Sequence, residues 1–191
     1  MQTLISRIAI GVLCLSSAAF AEKPRALASH SFLRDHSLRL GVDTELGIPL
    51  GNYSDQNSVG GGAFFNTELA LLETVSATMR IGFQAHLDRT LGGVDSHVHA
   101  IPVLLGTKFY LGPDRQGMFG AFELGIFDLM SNVTRGAISA SSNDVRFGMG
   151  GGFGYQQSQW NARVNVHTQD LGHFGSAMMI TGGIGYQFGG L

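Results

Sequence analysis

Two histidines stand two residues apart in the stretch Ser96-His97-Val98-His99-Ala100. On a β-strand that spacing points both rings to one face, so the pair could share a metal ion. With Asp95 as the one further donor nearby and no cysteine in reach, the set is thin, and no resident metal is expected. His36–Ser37 and Ser96–His97 suggest a nucleophile beside a base. Neighbours on a strand face opposite ways, however, so neither pair can work through adjacency. The glycine runs at 60–62 and 148–154 lack the strand–loop–helix setting and the following Lys-Ser/Thr of a phosphate cradle. No enzymatic activity and no cofactor are expected.

A larger set of chemically capable residues is ionic. Arg39, Asp43, Glu45, Glu68, Arg80, Asp88, Lys108, Glu123, Arg146 and Arg163 each fall on the polar phase of an alternating segment. Their signs nearly balance. If that phase points into a protein interior, the groups must pair, because a buried charge left alone costs several kcal/mol. The expectation is a polar plug of salt bridges, and the same residues could instead line a narrow conduction path.

The elements that would position these charges are strands of period two. Leu38–Leu50 sets Leu38, Leu40, Val42, Thr44, Leu46, Ile48 and Leu50 against Arg39, Gly41, Asp43, Glu45, Gly47 and Pro49. Similar alternation runs through 63–72, 77–88, 99–111, 118–130, 145–156, 160–169 and 177–191. The segment 66–79 would also suit a short helix through Leu69, Leu72 and Met79. Between the strands, 51–62, 89–98, 131–144 and 170–177 are expected as longer loops, with Asn57 exposed in the first. Stretches 73–76, 112–117 and 157–159 are expected as short turns. An even strand number with alternating loop lengths is the rhythm of a transmembrane barrel.

Composition supports a membrane setting. The chain holds 28 glycines and 14% charged residues among 191, against about a quarter charged in ordinary soluble domains. Beyond residue 21 there is no apolar run of the ~18 residues that would suggest a membrane helix, which leaves a closed barrel as the architecture that satisfies its backbone in lipid. The apolar phase carries Leu, Ile, Val, Phe, Met and Ala, while the polar phase is mostly glycine with sparse charges. Glycine suits the crowded inside of a narrow barrel, so the apolar phase is assigned to lipid. Phe109, Tyr155, Trp160, Tyr186 and Phe188 gather toward the short-turn end, where aromatic rings favour a membrane interface.

Residues 1–21, MQTLISRIAIGVLCLSSAAFA, read as a secretory signal peptide: Arg7, an apolar run from Ile8 to Leu15, and Ala19 and Ala21 around Phe20. The sole cysteine, Cys14, falls within it, so disulfides and thiolate chemistry are not expected in the mature chain. Residues 22–36 are a lead-in, 37–188 the barrel domain and 189–191 a C-terminal tail. With 12 Lys and Arg against 14 Asp and Glu and a net charge of −2, nothing suggests nucleic acid.

On the signal peptide, the eight alternating segments, the loop rhythm and the ending Gly183-Ile184-Gly185-Tyr186-Gln187-Phe188, the chain resembles the small bacterial outer-membrane β-barrels, the group that includes the OmpA transmembrane domain and OmpX. The resemblance implies an all-β, eight-stranded antiparallel up-and-down transmembrane barrel in the outer membrane. It also implies that Ile184, Tyr186 and Phe188 form the C-terminal signal by which the outer-membrane barrel assembly machinery recognises its clients. The expected partners are outer-membrane lipid, that machinery, and an extracellular ligand reached through the loops. The expected role is structural or surface-interacting. Two other readings remain: a soluble periplasmic lipocalin-like barrel holding an apolar ligand, and a lipid-modifying enzyme with its site at the rim.

Overall fold

The computed structural model describes residues 37–173 and 176–190; the signal peptide and the lead-in fall outside the described residues. Period-two alternation produces β1 (Leu38–Leu50), β2 (Gly60–Ala70), β3 (Val75–His86), β4 (Arg89–Leu91), β5 (Val94–Tyr110), β6 (Gly117–Arg135), β7 (Ile138–Gln157), β8 (Trp160–Thr168) and β9 (Met178–Gly190). A single helical turn, α1 (Tyr53–Gln56), follows β1. Consecutive strands other than β3 and β4 pair antiparallel, β1 seals against β9, and β3 pairs with β5. The sheet therefore closes into an all-antiparallel barrel of eight strands. The short β4 folds back on β5 outside the ring.

Closure leaves two unlike faces. Outside, Val42, Leu46, Ile48, Phe65, Ile81, Phe83, Leu105, Leu124, Phe147, Phe153 and Ile184 are exposed. Inside, Asp43, Glu45, Glu68, Arg80, Lys108, Glu123 and Arg163 are buried. Charges in the interior and aliphatic side chains at the surface invert the arrangement of a water-soluble protein. The inward glycines give room to rings from neighbouring strands: Gly154 lies directly across from Phe119, and a Cβ built on it would meet that ring's Cζ at 2.5 Å. Gly148 makes the same allowance for Phe127.

The connections 71–74, 111–116 and 158–159 lie at one end, and those after β1, β3, β6 and β8 at the other. Several boundaries differ from the sequence expectation. Residues 131–144 are a continuation of β6 and β7, joined through 136–137 alone. The pairing of Ser131, Asn132, Ser139, Ser141 and Ser142 is carried by the backbone, and where both faces meet water no hydrophobic alternation announces it. β5 already begins at Val94, and β2 at Gly60, where three glycines carry no side chains to alternate. Residues 66–70 are strand with no helix; β2 stops at Ala70, leaving Leu71 and Leu72 in an exposed turn. Gly189 and Gly190 belong to β9 opposite Leu40 and Arg39, past a register shift, instead of forming a tail.

Candidate functional site

The lumen is filled in three tiers. The middle tier is built by β1, β3, β6 and β8, whose polar phases carry Asp43 and Glu45, Arg80, Glu123, and Arg163. Arg80 donates from Nε to Asp43 Oδ2 (3.2 Å), from Nη2 to Glu45 Oε1 (2.5 Å) and from Nη1 to Glu123 Oε2 (3.1 Å). Arg163 reaches the same three carboxylates: Nε to Glu45 Oε1 (3.0 Å), Nη1 to Glu123 Oε1 (3.1 Å) and Nη2 to Asp43 Oδ2 (3.1 Å). Two planar guanidiniums thus clamp three carboxylates across the barrel, with every partner nearly excluded from solvent. Beneath the Arg80 guanidinium lies the Phe64 ring at 4.1 Å, adding a cation–π contact in a dry setting.

The tier toward the short turns centres on Glu68. It accepts from Lys108 Nζ (2.9 Å), Tyr110 Oη (2.8 Å) and Gln187 Nε2 (3.1 Å). Lys108 also sits 4.9 Å from the Phe119 ring. Arg39 donates to Gln187 Oε1 at 3.4 Å and leads out to the mouth. The opposite tier is closed by α1, whose Tyr53 is buried and donates to Gln169 Oε1 (2.8 Å). Gln169 in turn donates to Gln84 Oε1 (3.1 Å). Burial pushes the Tyr53 phenol well above its ordinary pKa, against the bond it makes with Gln169. Asn57, expected at the surface, is 1% exposed and accepts the backbone N–H of Val98 at 2.6 Å.

Two of the ten ionic residues stand apart from the lumen core. Asp88 follows the end of β3 and is exposed at the rim, bonded to His97 Nδ1 (2.5 Å); the alternation that would have carried it inward has ended two residues earlier. Arg146 lies high on β7, partly exposed, bonding Asp144 and Asp170 (3.1 Å to the latter). Asp170 is in the loop after β8. Partial burial tends to raise its pKa, but hydrogen bonds from His173 and the Gly172 N–H, together with the Arg146 charge, hold it below the ordinary carboxylate value.

His97 and His99 share the outer face of β5 with rings stacked 4.4 Å apart. His97 Nδ1 is engaged by Asp88, and His99 Nδ1 accepts the backbone N–H of His86 at 3.3 Å. In the neutral ring this places the His99 proton on Nε2, which removes that nitrogen as a shared ligand. Ser96 donates to the Gln56 carbonyl (2.9 Å) and Ser37 accepts from Arg115 (2.6 Å); His36 lies outside the described residues.

On the outside, Phe109, Tyr155, Trp160 and Phe188 are about half exposed near the short-turn end, and Tyr186 packs on Trp160 with ring centres 4.9 Å apart. Ile184, Tyr186 and Phe188 follow one another along the outer face of β9. One outward residue was not anticipated. Asp128 continues the phase of Leu124 and Ile126 and lies in register between Ile101 and Val145. Two turns of the pleat higher, Asn132, Thr134 and Ser139 bond one another, so the carboxylate marks the upper edge of the apolar belt. The alternation through Phe122, Leu124 and Ile126 pointed to it. Tyr53, Gln169 and Arg115 carried no such signal, since their roles depend on where loops return.

Closed ring, alternating faces and a packed polar lumen define the fold of the small outer-membrane-type barrels. Among solved structures, the chain is similar to Ail, the attachment invasion locus protein of Yersinia pestis, with a TM-score of 0.59 and 11% identity over 81% of this chain and 100% of that one. It is also similar to the N-terminal barrel domain of Pseudomonas aeruginosa OprF, with a TM-score of 0.55 and 12% identity over 81% and 98%. Neisserial surface protein A gives 0.55 and 8% over 81% and 100%. No protein-family model and no curated protein sequence matches the chain.

Proposed function

We propose that this protein is an integral barrel of the bacterial outer membrane with a structural or surface-interaction role, and that its lumen is a plug. The observation that carries this reading is the inversion of faces: a continuous aliphatic exterior around an interior whose guanidiniums and carboxylates are paired. A lipocalin-like binder needs the opposite, an apolar lumen. The larger connections and the extended β6–β7 hairpin stand on the extracellular side, where they meet a partner. Phe109, Tyr155, Trp160, Tyr186 and Phe188 sit at the periplasmic boundary, and Ile184, Tyr186 and Phe188 present the assembly signal on β9.

The test is to express the full chain, separate inner and outer membranes, and run the outer fraction in SDS with and without boiling. A heat-shifted band in the outer fraction supports the reading. A protein recovered in the soluble fraction with no heat shift overturns it. Reconstituted into planar bilayers, the folded protein should give no steady conductance, and an open channel at neutral pH would refute the plug.

A further inference from the structure

Beyond the lumen the inner faces of β5, β6 and β7 continue past the apolar belt, and their chemistry changes there. Register sets two rows. Ala100, Leu129 and Asp144 lie opposite one another in the first, and Val98, Ser131 and Ser142 in the second. All but Ala100 line an open cup of about 330 Å³, which Arg146, Asp170 and Ala177 help to enclose. One side of the cup is apolar: Val98 and Ala177 are buried in a single cluster, with Leu129 packed against it. The other side is built around Arg146, whose Nε and Nη2 both donate to Asp144 Oδ2 and whose Nη1 donates to Asp170 Oδ2 at 3.1 Å. Asp170 is fixed in turn by the Gly172 and His173 N–H groups, at 2.8 and 3.2 Å from its Oδ1. This wall is held in place yet keeps bonding capacity. Each terminal nitrogen of Arg146 retains a hydrogen to donate. Asp144 Oδ1 and the hydroxyls of Ser131 and Ser142 take no partner among the described residues.

The charges select the class of ligand. An anion drawn to Arg146 meets the two carboxylates bonded to it, and a cation drawn to Asp144 or Asp170 meets the guanidinium, so neither gains net attraction. A wholly apolar molecule would strip water from the wall without replacing its hydrogen bonds. The cup matches a neutral molecule with donors and acceptors along one side and C–H groups along the other, which is the form of a pyranose ring. Its volume is that of about eleven waters, room for one such ring. We infer that this cup binds a single neutral hexose unit of a glycan, its C–H face on Val98, Leu129 and Ala177 and its hydroxyls on Asp144, Arg146 and the two serines. The inference deepens the surface-interaction reading proposed above, and rests on it for the side of the membrane from which the sugar arrives.

The test uses the folded full-length protein in phosphatidylcholine nanodiscs, titrated separately with the methyl glycosides of glucose, galactose and mannose. Backbone amide shifts of Ser131, Ser142, Asp144 and Gly172 report the cup. A saturable response to at least one glycoside, confined to these amides and their neighbours, is expected. Asp144→Ala removes an acceptor and loosens Arg146, and should weaken binding by about tenfold or more. Ser142→Ala should weaken it less, and Arg89→Gln, exposed on β4, should leave it unchanged. The heat-shifted band certifies that each variant is folded. No saturable response to any of the three glycosides, or an Asp144→Ala protein that binds as wild type, would overturn the site. Saturation by succinate, putrescine or glycine in place of the glycosides would also overturn it, by assigning the cup to a charged ligand. Discs carrying lipopolysaccharide with a hexose-bearing core identify the source. If they shift the same amides without added sugar and suppress the glycoside response, the site stands and its hexose comes from the protein's own leaflet. An unchanged titration also supports the site and assigns the hexose to a glycan from outside that leaflet. Absence of binding by a heat-shifted outer-membrane protein refutes the cup alone, and binding by a protein found in another membrane refutes the localisation alone.

Discussion

Replacing Arg163 by methionine removes three charge-assisted hydrogen bonds while keeping an unbranched side chain in the lumen. The carboxylates of Asp43, Glu45 and Glu123 would then share Arg80 alone, each with side-chain exposure of 9% or less. Three such bonds at roughly 1.5–3 kcal/mol apiece set an upper range of about 5–9 kcal/mol. Arg80 still satisfies part of each carboxylate, so the expected loss is nearer the ~3–5 kcal/mol seen when one partner leaves a buried pair. A loss of about 4 kcal/mol is a nearly thousandfold change in the folding equilibrium. Reversible urea unfolding in phosphatidylcholine vesicles, followed by Trp160 fluorescence and by the heat-shifted band, measures it. Adding Glu45→Gln to Arg163→Met removes one surplus charge and should restore about half of the loss. A loss below ~1 kcal/mol for Arg163→Met, or strict additivity of the two substitutions, would refute the claim that the clamp is a coupled unit.

Leu46→Arg, in the middle of the β1 outer face, should cost roughly 2–4 kcal/mol and reduce the folded yield in membranes, whereas Ile138→Arg at the exposed β6–β7 tip should not; equal folded yields would count against the lipid belt. Gly125→Val drives a side chain into the Val103 carbonyl and should abolish the heat-shifted band, while Gly151→Ala, whose Cβ meets nothing closer than Ala121 O at 3.5 Å, should keep it. Because the folded-state pKa of Asp170 is depressed, its contribution to loop order is complete above the ordinary carboxylate range and is lost as pH falls through the folded value. The protection of the Gly172 and His173 amides, measured relative to the intrinsic exchange rate at each pH, should therefore fall as pH drops below the ordinary carboxylate range, and Asp170→Asn should show no such pH-dependent loss.

The phase of every barrel strand was legible because lipid on one side and a charged lumen on the other enforce a strict period of two. Arg80, Glu123 and Arg163 could be placed inside from that phase alone. Which cation meets which carboxylate was not legible, since Asp43 and Arg163 are brought together by closure across the ring. Strand ends were equally hidden: beyond Met130 and before Val145, Asn and Ser occupy both faces and leave the pairing unmarked. Asp88 was misplaced because alternation continues in sequence after the backbone has left the sheet. Asn57 was misjudged because a polar loop residue can fold back to satisfy a buried N–H, and local composition does not reveal that return.

The middle clamp joins residues very far apart along the chain. Arg163 lies 118 residues from Glu45 and 120 from Asp43, and β1 and β8 approach only once β9 has sealed the seam between them. Contacts of this kind do little to speed the slow search for closure, because a loop of that length has to be closed before they can form. They act on the return journey. Each must break before the seam can part, so the latch lengthens the lifetime of the closed ring, and the durability it gives is a matter of escape rate.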